Sequence, residues 1–300
     1  MELLGILLPV FFIFGIGFVG QKTLGLDPKS LSKVSVYLLS PFLVFRTFYE
    51  THFTHTHVYM FIFTFALCFV LIGAAYLVSF IRGYNQCQAC GMILASAFMN
   101  NGNYGTPVAL FAFGAAGLDY AIVLMVAQQL VMCTVGVYFA AKGSPDSDGF
   151  RSALRAVVRL PIVYGAFAGL ILQMLPFSLS KTMSEAIDLV ANATIPMIMI
   201  VLGMTLANIS IKKLQMEKIS LSIAIKLGLS PFIAFLITLA LPIDNLLKSI
   251  MILMAAMPTA ANTTIYALQY GTEPEFVSSA TLVSTLLSLV TLPFFLYFMI

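Results

Sequence analysis

Charge is what this sequence lacks most. Asp, Glu, Lys and Arg together make up 9% of its 300 residues, against roughly 25% in soluble domains. So few charged side chains cannot cover the surface of a soluble globule. The net charge of +3 gathers into no basic patch large enough to suggest a nucleic-acid partner. Tryptophan is absent, and histidine occurs only as His52, His55 and His57 in one short run. That run reads as a metal cluster or as a solvated loop, and the loop is expected. Cysteine occurs at Cys68, Cys87, Cys90 and Cys133. Cys87 and Cys90 form a lone C-x-x-C, and without a second pair the zinc-site pattern is incomplete. Two small residues at a helix start are expected there, rather than a redox or metal site. The motifs G-x-S-x-G and G-x-x-x-x-G-K are missing, as is any haem motif. No cofactor, no metal and no enzymatic activity are expected.

What is present is apolar. Hydrophobic residues make up 60% of the chain, and the mean hydropathy is +1.01. A helix that crosses a bilayer needs about 20 mostly apolar residues. The apolar runs predict ten spans, near 3–21, 31–49, 58–81, 88–117, 119–141, 153–175, 183–207, 217–241, 246–270 and 275–299. The first run has no basic residue before it, so it reads as a membrane helix and not as a cleaved leader. The longest connection, 143–152, separates a first half (1–142) from a second (153–300). Lys and Arg split 12 against 3 between the two sides of this arrangement. The richer side is expected to be cytoplasmic, which leaves both termini extracytoplasmic in a cell membrane.

Five spans in each half place the halves in opposite orientations. Weak matches support that division: Pro41 with Pro196, Pro107 with Pro258 and Gly117 with Gly271, at offsets of 155, 151 and 154. The expected fold is all-α, with ten transmembrane helices in two inverted five-helix repeats. This architecture recurs in secondary transporters, with the substrate site at the midplane between the repeats.

The fourth and ninth spans are interrupted at corresponding places. The fourth carries Asn100, Asn101, Gly102, Asn103, Tyr104, Gly105, Thr106 and Pro107, and the ninth carries Pro258, Thr259, Asn262, Thr263 and Thr264. Pro107 lacks a donor and crowds the carbonyl of Asn103, so unwinding is expected between Asn100 and Pro107. Freed backbone groups inside a bilayer need partners in protein or in a water-filled cavity. Half-helix N-termini at the midplane favour an anion, and asparagine amides would orient it. Neither span contains Asp or Glu. The expected ligand is therefore a small organic anion rather than a cation held by carboxylates.

Other polar residues carry paired readings. Gln128 and Gln129 in the fifth span face the site or join neighbouring helices. Tyr37 and Asn192, again 155 apart, are candidates to line a cavity. Asp188 is the deepest carboxylate, either a proton relay or a solvated interfacial group. Lys226 is expected to snorkel toward a membrane surface.

These residues resemble the auxin efflux carrier family in its short bacterial form. The resemblance rests on ILLPVFFIFGIGFVGQKTLGLD and LSKVSVYLLSPFLVF near the start. It also rests on Asn101-Gly102-Asn103-Tyr104-Gly105-Thr106-Pro107, on ATIPMIMIVLGMTLA at 193–207, and on STLLSLVTLPFF near the end. It implies a crossover fold like that of sodium/proton antiporters and bile-acid symporters, with broken helices 4 and 9 crossing at Asn103, Pro107, Pro258 and Asn262. It further implies a scaffold of spans 1, 2, 6 and 7, an elevator-like transport domain of spans 3–5 and 8–10, and homodimers through the scaffold. Substrates implied are carboxylates of the auxin or malate type, contacted by Gln128 and Gln129. The large loop of plant members is missing. The alternatives are a proton- or sodium-coupled carrier of the same fold, or a carrier-like membrane sensor.

Overall fold

The computed structural model describes residues 2–51, 54–144, 161–175, 179–208 and 215–299. His52, Arg151, Arg155, Arg159, Lys212, Lys213 and most of the 143–152 connection lie outside the described residues. Within them there are eleven helices and no strand. They are α1 (Glu2–Leu24), α2 (Pro28–Glu50), α3 (His55–Ile81), α4 (Gln86–Ser96), α5 (Asn101–Lys142) and α6 (Pro161–Met174). They continue as α7 (Lys181–Asn208), α8 (Met216–Leu239), α9 (Asn245–Ala255), α10 (Ala261–Tyr270) and α11 (Pro274–Met299). Six of these, α2, α3, α5, α7, α8 and α11, are long and apolar enough to cross a membrane, and α1, α6 and α9 contain shorter apolar helices. This is a multi-pass membrane protein.

Three helices share a local device. In α2, α5 and α8 a π-helical stretch, Val34–Leu39, Asn101–Gly105 and Ala224–Leu229, is followed at once by Ser40-Pro41, Thr106-Pro107 and Ser230-Pro231. The proline ring cannot coexist with a normally placed carbonyl four residues back. Widening the preceding turn to π geometry moves that carbonyl away without ending the helix. Hydroxyls bond back into two of these widened turns: Ser40 donates to the Ser35 carbonyl at 2.8 Å, and Thr106 to the Gly102 carbonyl at 2.7 Å. Pro107 therefore does not unwind its helix, contrary to the sequence expectation.

The chain divides into two compact units. The first comprises Met1–Val58, Gly102–Val126 and Arg159–Asn208; the second comprises Tyr59–Asn101, Ala127–Val158 and Ile209–Ile300. In the first unit α1 packs along α7 and α2 along α6. Glycines set the α1–α7 distance: a Cβ at Gly17 would collide with the Ile200 carbonyl, and one at Gly203 with the Phe14 carbonyl. Close backbone approach through small residues is the usual way helices associate in lipid, where burial supplies no driving force. Tyr104 is buried in this unit edge-on to Phe14, with ring centroids 5.2 Å apart.

The second unit contains α3, α4, the end of α5, and α8 to α11. Asn85 and Gln88 form a reciprocal capping box that starts α4, so Cys87 and Cys90 do sit at a helix start. All four cysteines are free, and no group of three or more metal-ligating side chains exists among the described residues. The part of α5 that belongs to the first unit is broken at Gly114, with φ 68° and ψ −159°. The break lies three residues before the Gly117 that the sequence pattern singles out. Gly117 is helical and packed on Phe113.

Candidate functional site

The second unit is organised around a crossing of two interrupted helices. α4 ends at Ser96, and the chain runs extended through Phe98, Met99 and Asn100. α9 ends at Ala255, and the chain runs through Met257, Pro258 and Thr259 before α10 begins. The two extended pieces meet as an antiparallel bridge centred on Met99 and Thr259. The Asn100 N–H donates to the Pro258 carbonyl at 2.9 Å, and the Ala260 N–H to the Phe98 carbonyl at 3.1 Å. Backbone that would otherwise be orphaned in the bilayer is thereby satisfied by its counterpart. The sequence placed the first interruption between Asn100 and Pro107. It lies instead at Ala97–Asn100, because π geometry keeps Asn101–Gly105 helical.

Helix ends also need partners for their last carbonyls. At the end of α4, the Ala95 carbonyl accepts from the Thr259 hydroxyl at 2.6 Å. At the end of α9, the Ala255 carbonyl accepts from the Ser230 hydroxyl at 2.8 Å and from the Lys226 Nζ at 3.4 Å. Lys226 is fully buried. It does not snorkel: its Nζ is held inside, donating to the Ala255 carbonyl and lying 3.5 Å from the Ser230 hydroxyl. Sequence reasoning missed this role. The signal was present, since Lys226 lies ten residues into the 24-residue span α8, about 15 Å deep by helical rise.

The predicted site residues divide between the units. In the second unit, the Thr259 N–H also donates to the Ser284 hydroxyl oxygen at 3.2 Å. Thr263 donates to the Ala260 carbonyl at 2.8 Å. The polar groups of Thr259 and Thr263 are thus engaged in holding the crossing. Asn262 sits half-buried in the first turn of α10, whose N-terminus has no side-chain cap. Gln129 donates to the Cys133 sulfur at 3.3 Å, and that sulfur lies 3.4 Å from the Tyr266 hydroxyl, which ties α5 to α10. Gln128 is buried at 2% exposure, and neither its amide nitrogen nor its amide oxygen has a partner among the described residues. The same holds for Asn100 Nδ2 and Asn101 Oδ1. A buried polar atom without a partner costs about 1–3 kcal/mol, and native structures hold few of them. All three of these amides lie in the second unit.

In the first unit, Gly102 lies against Met125, and Gly105 and Pro107 are buried. Asn103 is half-buried. Asp188 pairs with Arg46 at 3.4 Å, and the same guanidinium nitrogen donates to Asn192 at 2.7 Å. Tyr37 is exposed. Arg46 is 142 residues from Asp188, so sequence spacing gave no hint of this pair.

Helical elements throughout the described residues, six of them long and apolar enough to cross a membrane, define an integral membrane protein. A model of the family described as membrane transport protein matches residues 3–148 and 150–296. The chain belongs to that family, the auxin efflux carriers. It is 28% identical over 308 residues to a Rhizobium meliloti protein named "Putative malonate transporter", covering 99% of this chain and 95% of that one. It is 29% identical over 299 residues to an uncharacterized transporter of Methanothermobacter thermautotrophicus, covering 98% and 93%. A third relative, an uncharacterized transporter of Methanocaldococcus jannaschii, is 26% identical over 276 residues, covering 88% and 87%. The protein is a membrane transporter.

Proposed function

We propose that this transporter carries a small organic anion, a carboxylate such as malonate or malate, by alternating access of elevator type. One observation carries the reading: the charged side chain bonded at the crossing is an amine, Lys226, in the same unit as Asn100, Asn101 and Gln128, whose buried amides have atoms without partners among the described residues. No Asp or Glu occurs in 86–117 or 245–270. A sodium or proton carrier would need a carboxylate there, whereas an anion would favour the charged form of Lys226. The name of the Rhizobium meliloti relative agrees with a dicarboxylate.

The ten-span reading is supported by taking α4 with α5 as far as Gly114 as one interrupted span, the rest of α5 as the next, and α9 with α10 as another. A repeat is supported by α4 and α9. Each is 11 residues long, begins with a side-chain cap (Asn85, Asp244) and ends at the crossing. An elevator is supported by the composition of the units. Spans 1, 2, 6 and 7 fall in the first and most of spans 3–5 and 8–10 in the second, with 102–126 grouping with the first.

Uptake of labelled malonate into proteoliposomes tests the reading, with a panel of mono- and dicarboxylates as competitors. Saturable uptake inhibited by carboxylates, and not by neutral analogues, is expected. Gln128→Leu should lower uptake at least about tenfold, while its melting temperature holds or rises because an unpaired buried amide is removed. Absence of uptake for every carboxylate, or full uptake by the leucine variant, would sink the proposal.

A further inference from the structure

A groove of about 430 Å³ lies among α8, α9 and α11. Its walls are aromatic: Phe232 and Phe235 from α8, Phe294 and Phe298 from α11. All four are largely exposed. The rings of Phe294 and Phe298 meet edge to face at 5.0 Å, which fixes one wall. Gly228 also lines it, and a Cβ there would meet nothing within 4 Å. Along α8 the lining runs from Gly228 to Leu239, about 16 Å by helical rise. That is close to one leaflet of a hydrocarbon core about 30 Å thick.

The other end of the groove differs in kind. Asn245, Lys248 and Ser249, from the start of α9, line it where α8 and α11 terminate. Lys248 is half-buried, and no carboxylate lies within 4.0 Å of its ammonium among the described residues. The nearest acid in sequence, Asp244, uses a carboxylate oxygen to cap the Leu247 N–H at 2.9 Å. Asn245 and Ser249 add neutral donors. An apolar channel one leaflet long, closed at the membrane boundary by an unpaired cation, matches an amphiphile with an anionic head. Basic pockets between membrane helices bind anionic lipid head groups by this chemistry.

We propose that this groove is a binding site for an anionic phospholipid, with an acyl chain against the phenylalanines and the phosphate on Lys248. The site does not depend on the identity of the transported substrate.

Native mass spectrometry and thermal shifts of the full chain, with phosphatidylglycerol or phosphatidylcholine of the same acyl chains, test it. Phosphatidylglycerol should be retained preferentially and should raise the melting temperature more. Lys248→Gln should weaken phosphatidylglycerol binding about fivefold, the worth of one lysine near an anionic lipid surface, and leave phosphatidylcholine unchanged. Lys248→Arg should retain the preference. Lys181→Gln removes an exposed lysine elsewhere and should change nothing. Gly228→Phe puts a ring into the open space at Gly228 and should displace both lipids at unchanged helix content. Three results would each overturn the proposal. These are equal retention of the two lipids by the wild type, the same loss in the Lys181 and Lys248 variants, or a Gly228→Phe protein that keeps its lipid but changes its oligomeric state.

Discussion

The two interrupted helices solve one backbone problem with different chemistry. α4 and α9 are each 11 residues long, and each ends in extended chain that bonds the other. Their last carbonyls are answered differently. Ala95 accepts from a neutral hydroxyl, Thr259, whereas Ala255 accepts from a hydroxyl and an amine, Ser230 and Lys226. A hydroxyl suffices to satisfy a helix end. The amine at the second end is therefore more than a cap, and it puts a potential cation beside the crossing. The asparagines are unequally placed as well: Asn100 lies in the first break and Asn101 and Asn103 follow it, whereas Asn262 alone follows the second. The shared geometry builds the crossing, and the unequal chemistry gives it a direction of charge.

Lys226→Met should break this comparison most sharply. Ser230 keeps the Ala255 carbonyl satisfied at 2.8 Å, and replacing a buried charge with a side chain of similar volume is often neutral or stabilising. The fold should survive with little change in melting temperature. Dicarboxylate uptake should fall about 100-fold, the worth of an ion pair across about 6 Å at an effective dielectric near 20. Proteoliposome uptake and thermal unfolding of the same preparation check both halves. A variant that unfolds yet transports normally per folded molecule would make Lys226 a structural cap only.

Thr259→Val should do the reverse. The hydroxyl that satisfies Ala95 is lost, leaving a buried carbonyl without its partner, while the backbone bond to Ser284 remains. The expected cost is about 1–3 kcal/mol of stability, seen as a lower melting temperature, with uptake by the folded fraction little changed. Loss of uptake at unchanged stability would mean that the neutral end also contacts the substrate.

Much of this was legible in the sequence. The apolar runs located α2, α3, α7, α8 and α11 to within a few residues, because length and hydropathy alone specify a membrane helix. The interruptions were found by their Pro, Gly and Asn content, but the first was placed too late. Proline reads as a breaker, and only the structure reveals the π turns that let Pro41, Pro107 and Pro231 remain inside helices. Phe98 and Met99, at the centre of the break, are not residues that mark one; the chain is extended there because the Ala260 N–H donates to the Phe98 carbonyl and the Asn100 N–H to the Pro258 carbonyl. Lys226 was misread for a related reason. Its depth was visible, but the carbonyl it answers belongs to a residue 29 positions away. The Arg46–Asp188 pair was hidden by still greater separation.

The smallest effects concern the turns that follow the two breaks. Gly114 interrupts α5 at φ 68° and ψ −159°, and Gly271 ends α10 at φ 72° and ψ 21°. A Cβ would have open space at both, so replacement by alanine probes backbone conformation alone. The Gly271 geometry is ordinary left-handed helix, which costs an L-residue roughly 1 kcal/mol. The Gly114 geometry pairs positive φ with extended ψ, a region essentially reserved for glycine, at about 1–3 kcal/mol. Gly114→Ala should therefore lower the melting temperature more than Gly271→Ala, though both lie after comparable breaks. Equal losses would mean that α5 relaxes Gly114 toward the geometry of Gly271. The difference between the two turns would then be one of degree, and the unequal chemistry of the crossing would rest on Lys226 and the asparagines alone.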